Sequence, residues 1–144
     1  MVKQGHGAAM VKVDIRSSYR TVPIRPQDWQ LLGMQWDGAL FVDTTLPFGL
    51  KWALKIFMAL VDAVEWVLRQ NGVQFCLHYL DDYLIIGLKW EQCAQDLQIV
   101  LSMFAKLGFS LAENKLEGPS TCLTFLGFEL DLAALEVHLP KDKL

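Results

Sequence analysis

The sequence predicts a single α+β domain, an antiparallel sheet with two helices packed on one face. Three observations carry that expectation. Apolar residues recur every three or four positions over 53–68 and again over 90–107, which is helical spacing. Short alternating or continuous apolar runs lie before, between and after these two stretches. A chain of 144 residues, 53% of them apolar, has material for one core and too little for a second.

The elements follow in order. Residues 1–8 read as a loose leader. From Ala9 the side chains alternate through Met10, Val11, Lys12 and Val13, a strand ending at Asp14. Pro23 and Pro26 keep 21–29 from forming a regular helix. Leu31 to Trp36 and Ala39 to Thr44 flank Asp37-Gly38, a strong hairpin signal. After the break at Pro47-Phe48-Gly49, a helix runs through Ala53, Phe57, Leu60, Val61, Val64 and Leu68 to a stop at Asn71-Gly72. Gln74 to Tyr79 and Tyr83 to Gly87 read as strands on either side of Asp81-Asp82. A second helix, Trp90 to Leu107, closes at Gly108. Extended segments follow around Leu111 and from Cys122 to Leu130, with a short strand at Glu136 to Leu139. Without the hairpin insertion the order is βαββαβ, which folds as a ferredoxin-like layer.

Composition narrows the function. Charged residues make up 20% of the chain, and the apolar content excludes disordered and collagen-like classes. Cys76, Cys93 and Cys122 lack metal-ligand spacing and read as buried thiols of an intracellular protein, cytoplasmic or nuclear. Residues 1–12 contain no apolar run that would make a signal peptide. The most apolar long stretch, 50–68, carries Lys51, Lys55, Asp62 and Glu65, so no membrane span is expected. Thirteen Lys and Arg against sixteen Asp and Glu leave a net charge of −3. Nucleic-acid binding draws on cations that neutralise phosphates, so a domain of this charge needs most of its grip from elsewhere.

Asp14, Asp81 and Asp82 carry the chemistry. In the expected fold the first strand and the central hairpin are neighbours, which brings all three acids to one sheet edge. Carboxylates so placed repel one another unless a cation lies between them. Hard oxygen ligands suit Mg²⁺, which also takes oxygens from substrate phosphates. Two such ions stabilise the attacking and leaving oxygens of an in-line phosphoryl displacement. The plainer alternatives are a solvated Asp-Asp turn and an Asp14 that caps a helix over 16–20.

Four blocks, taken in order, resemble those of retroelement reverse transcriptases, of the LTR or tyrosine-recombinase retrotransposon kind. They are Val13-Asp14-Ile15-Arg16-Ser17-Ser18-Tyr19-Arg20, Leu46-Pro47-Phe48-Gly49, Tyr79-Leu80-Asp81-Asp82 and Phe125-Leu126-Gly127-Phe128. The likeness covers about residues 9–144. It implies a polymerase palm and RNA-directed DNA polymerase activity, with Asp14, Asp81 and Asp82 as catalytic ligands of two Mg²⁺, Mn²⁺ being an alternative. It further implies nucleotide binding by Ser17, Ser18, Tyr19 and Phe48, with Tyr19 as a steric gate against a ribose 2′-hydroxyl. Lys115 would protonate pyrophosphate, and Phe125, Leu126 and Gly127 would steady the primer end. Read alone, Tyr19 is equally a core aromatic, Phe48 a turn residue packing on the next helix, and Lys115 a surface lysine.

The implied partners are an RNA or DNA template with its primer and deoxynucleoside triphosphates, with no membrane. Fingers and thumb are also implied as partners, and a ribonuclease H segment is an open possibility. The family's fingers lie mostly before the first catalytic Asp, and its thumb follows a segment like 139–144. The expected division is therefore a leader at 1–8, a palm with partial fingers at 9–139 (hairpin 29–44), and the start of a thumb at 140–144. Trp52-Ala53-Leu54 departs from the family's Ser-Ala-Pro and adds a large ring near the template side. The alternative function is a catalytically inactive remnant or a recruited interaction module. A cyclase acting on free triphosphates suits the charge but leaves the Pro47–Gly49 and Phe125–Phe128 blocks without a role. An RNA-recognition fold lacks its paired aromatics on the central strands.

Overall fold

Strand β1 (Ala9–Asp14) lies inside the main sheet, and the rest of the fold is arranged about it. The computed structural model describes residues 7–140. On one side β1 pairs with β5 (Asp82–Gly87), which in turn pairs with β4 (Cys76–Tyr79). On the other side it pairs with β6 (Glu117–Ser120). The sheet order is β4-β5-β1-β6 with all neighbours antiparallel, the ferredoxin-like arrangement expected.

Because successive strand residues point to opposite faces, β1 and β5 each serve two environments. Val11 and Val13 face helices α1 (Ala53–Gln70) and α2 (Trp90–Leu107), as do their register partners Ile85 and Tyr83. The helices contribute Phe57, Val61, Val64 and Leu68, and Cys93, Leu97, Val100 and Phe104, which are the positions their periodicity marks. Each large side chain fully buried here contributes about 1.5–3 kcal/mol of transfer free energy. The helix ends obey the residues placed there: Asn71 Nδ2 donates to the Val67 carbonyl at 2.8 Å, and Gly108 closes α2 in the left-handed region at φ 80°.

The opposite face carries a second sheet. Met10 and Leu84 pack with Leu123 of β7 (Cys122–Phe125), which pairs with β8 (Phe128–Asp131) and through it with β9 (Glu136–His138). Strand β1 is therefore covered on both sides at its start, and only Lys12 among its six residues is more than marginally exposed.

The inserted hairpin is β2 (Gly33–Trp36) and β3 (Ala39–Val42), with Asp37 and Gly38 both at positive φ as a type I′ turn requires. Leu31 and Leu32, expected in its first strand, belong instead to the 3₁₀ segment Pro26–Leu32. The larger correction concerns the fourth strand of the main sheet. It is β6, not the segment 122–130, which builds the second sheet, and the chain around Leu111 makes only an isolated bridge to Ile15. Glu-Gly-Pro-Ser reads as a turn, yet Gly118 is what brings it against β1. A Cβ there would stand 2.4 Å from the Met10 carbonyl oxygen, so only glycine permits the approach.

All three thiols are free; Cys76 and Cys93 are buried, but Cys122 is exposed, contrary to expectation. Burial pushes the Cys76 thiol up to about 12, which leaves it inert. The expected leader falls mostly on residues 1–6, and the expected thumb start mostly on 141–144, both outside the described residues. No described helix is long and apolar enough to cross a membrane.

Candidate active site

Register brings two of the three acids together. Asp14 and Asp82 are direct partners across β1 and β5, so their side chains leave the sheet on the same face, away from the helices. Asp81 lies one residue back, in the turn joining β4 to β5. Its carbonyl accepts from the Ile15 N–H at 2.9 Å, which ties the turn to the end of β1. That turn has only Leu80 and Asp81 between the paired residues Tyr79 and Asp82, and Leu80 adopts φ 56°. A leucine in that region costs on the order of 1 kcal/mol. The strain is consistent with a turn held in place to present its acids.

Like charge is the dominant feature of this edge. Asp14 is 6% exposed. Burial most of all, and then the Asp14 and Asp81 carboxylates, hold the Asp82 carboxyl above the usual carboxylate range, while Lys12 pulls it back. Lys115 meets the repulsion directly, its Nζ lying 2.9 Å from Asp14 Oδ2. That hydrogen bond and charge raise the Lys115 ammonium above its ordinary value and keep it protonated. As arranged, no three His, Cys, Asp or Glu side chains among the described residues form a group that could hold a metal ion. The donor set is nonetheless of the right chemistry for Mg²⁺, hard carboxylate oxygens on adjoining backbone whose like charge Lys12 and Lys115 relieve only in part. Asp14 caps no helix, since the 3₁₀ turn Ser18–Thr21 begins at Ser17 without a side-chain cap.

Beside the acids opens a cavity of about 760 Å³. Asp14, Asp81, Ser17, Ser18, Phe48 and Lys115 all line it, joined by Arg16 and the segment Leu111–Asn114. Ser17 and Ser18 both stand at positive φ, which turns the chain sharply just past the strand end. Tyr19 does not line the cavity; it packs partly against the core and lies 5.0 Å from each of Phe48 and Phe57, centroid to centroid. Asp82 likewise stands outside the cavity lining. Phe125 packs on the second core cluster, while Leu126 and Gly127 form the β7–β8 turn, both at positive φ.

Lys12 is a residue that sequence reasoning missed. Its ammonium bonds Glu117 at 2.9 Å and the Thr124 carbonyl at 3.2 Å, tying β1 and β6 to the β7–β8 hairpin. Its position two residues before Asp14 on the same face was the available signal. Arg16 and the 111–114 segment were also missed, because nothing in their local pattern shows that the chain after α2 returns to the end of β1. The Ala112 N–H donates to the Asp14 carbonyl at 3.0 Å to close that return.

A helix-backed antiparallel sheet with acids at the ends of its two central strands is the architecture of a polymerase palm. Residues 1–130 match the family described as reverse transcriptase (RNA-dependent DNA polymerase), and the chain belongs to that family. It is 23% identical over 124 residues to the retrovirus-related Pol polyprotein from transposon opus of Drosophila melanogaster, a match covering 86% of this chain and 12% of that one. Against polyprotein P3 of Commelina yellow mottle virus it is 25% identical over 136 residues, covering 94% and 7%. The foamy viral protease-reverse transcriptase in complex with RNA/DNA hybrid shares the fold with a TM-score of 0.81 at 22% identity, covering 93% of this chain and 17% of that one. The same protein in complex with dsDNA gives a TM-score of 0.78 at 20% identity, covering 93% and 27%. The chain thus spans a small fraction of the proteins it resembles.

Proposed function

We propose that this chain is the palm of an RNA-directed DNA polymerase that transfers nucleotides to a primer 3′-hydroxyl, with partial fingers at 29–44. The observation that carries the reading is the register pairing of Asp14 with Asp82, with Asp81 tied to the same strand end beside a cavity wide enough for a nucleotide. Asp14, Asp81 and Asp82 would hold two Mg²⁺ or Mn²⁺ ions. When bound, such ions lower the pKa of the attacking hydroxyl and neutralise the triphosphate. The chain's own residues do the rest. The Ser17 and Ser18 amides meet phosphate oxygens, and Phe48 lines the nucleotide site. Tyr19, packed edge-on against Phe48 outside the cavity lining, acts as the gate against a 2′-hydroxyl through the position it gives the Phe48 ring. Lys115 leaves Asp14 and donates its proton to pyrophosphate. Leu126 and Gly127, on Phe125 as a base, steady the primer end.

A net charge of −3 leaves most of the grip on template and primer to fingers and thumb. On this reading 1–8 is a leader and 140–144 opens the thumb. A second reading, an inert remnant or recruited interaction module, draws its support from the Lys115–Asp14 pair, which already neutralises Asp14 without a metal. Primer extension on an RNA template with Mg²⁺, comparing this chain with Asp81→Asn, separates them. Extension abolished by the substitution supports the polymerase; extension that survives it refutes the assignment of the acids; no extension by either chain, even when fingers and thumb are supplied, supports the inert reading.

A further inference from the structure

The start of α1 gathers features that the cavity and its acids do not use. Trp52 immediately precedes the helix with 55% of its surface exposed and belongs to neither core cluster. Lys51 Nζ lies 5.6 Å and Lys55 Nζ 5.3 Å from the centre of its ring. Among the described residues neither lysine pairs with a carboxylate, and the first turn of α1 holds no acidic residue. In a chain where acids outnumber bases, this is a local concentration of positive charge around an exposed aromatic. It also comes at a cost, because lysines near a helix start oppose the peptide dipoles.

We propose that Trp52, flanked by Lys51 and Lys55, is a stacking platform for an unpaired base of a single-stranded nucleic acid, with the two ammonium groups taking the adjacent phosphates. An exposed indole offers a flat face that any base can cover, and cations on long flexible stems reach the backbone on either side; that pairing of groups is how single strands are held without sequence readout. The ammonium groups resting near the ring leave it for phosphate when a base arrives. A duplex hides its base faces and would gain only the charge. Trp52 follows Phe48 of the cavity by four residues, so a strand on the platform runs close to the proposed nucleotide site. The inference rests on the polymerase reading and adds to it a contact made by residues where this sequence departs from the family pattern.

The test is fluorescence anisotropy of a labelled oligothymidylate titrated with the chain and its variants, with thermal unfolding as a check on folding. Trp52→Ala is expected to weaken binding about tenfold or more, the worth of one aromatic stack, while Trp52→Phe retains most of it. Lys51→Gln with Lys55→Gln is expected to flatten the dependence of log affinity on log salt by roughly 1.4. Single-strand binding that is indifferent to Trp52→Ala overturns the platform alone. So does an equal loss for duplex DNA or for phosphatidylserine vesicles, since neither presents an unpaired base. Failure of the unaltered chain to bind any nucleic acid overturns the platform and also counts against the polymerase reading.

Discussion

The two faces of the β1–β5 pair are built from alternate residues of the same strands and carry opposite electrostatics. Toward the helices stand Val11, Val13, Tyr83 and Ile85, none more than 1% exposed. On the other face, toward the strand ends, stand Lys12, Asp14 and Asp82, whose charges are only partly compensated. One face is optimised for packing, while the other tolerates repulsion that packing must offset. The comparison teaches that the acids are held together against their own preference by the apolar layer behind them. A third region sharpens the point: β2 and β3 are as apolar as the core strands, yet Met34, Trp36, Leu40, Phe41 and Val42 are all 48% or more exposed.

Substitutions can break this contrast, beginning with the helix-facing side. Phe104→Ala, which empties a fully buried position against Tyr83, is expected to cost about 3–5 kcal/mol. The urea midpoint would report it; a change below 1 kcal/mol would mean that the helix face is not the source of stability. On the acid face the sign reverses. Asp82→Asn removes repulsion and is expected to raise stability near neutral pH by less than about 1 kcal/mol, because solvent screens the group. Its raised folded pKa means that the ionised carboxylate costs stability above that pKa. The cost is relieved as pH falls through it towards about 3.9. The gain should therefore shrink on acidification, and a gain that grows instead would contradict the repulsion.

Lys115→Met should lower stability slightly near neutral pH by leaving Asp14 without its partner, while making the acids more receptive to a divalent ion. Isothermal titration with Mn²⁺ reads the second effect, and unchanged affinity would show that Lys115 does not compete for the site. The smallest effect belongs to the hairpin. Trp36→Ser and Leu40→Thr should each shift stability by about 0.5 kcal/mol or less, since neither side chain is buried. A larger loss would reveal packing that the described residues do not contain.

Much of this was legible from periodicity. Strand β1 and helix α2 fall on the expected residues, and α1 runs only two beyond its last marked leucine, because amphipathic spacing encodes which face meets a core. The Asp37-Gly38 turn was legible because two consecutive positive φ values demand such residues. Strand β6 was not, because Gly118 and Pro119 are poor strand formers, and Gly118 serves the close approach to Met10 rather than pairing propensity. The acids Asp14, Asp81 and Asp82 could be placed at one edge by topology alone. Lys12 and the return of 111–114 to the end of β1 could not, since they depend on tertiary contacts across about a hundred residues of sequence.

On the proposed reading the acids at the ends of β1 and β5 form a divalent-cation site. Electron paramagnetic resonance of Mn²⁺, whose signal falls as the ion is bound, tests it without need of template or primer. The unaltered chain should take up Mn²⁺, and Asp14→Asn and Asp81→Asn should each weaken uptake at least tenfold while leaving the fold intact. Uptake equal in all three chains would contradict the account.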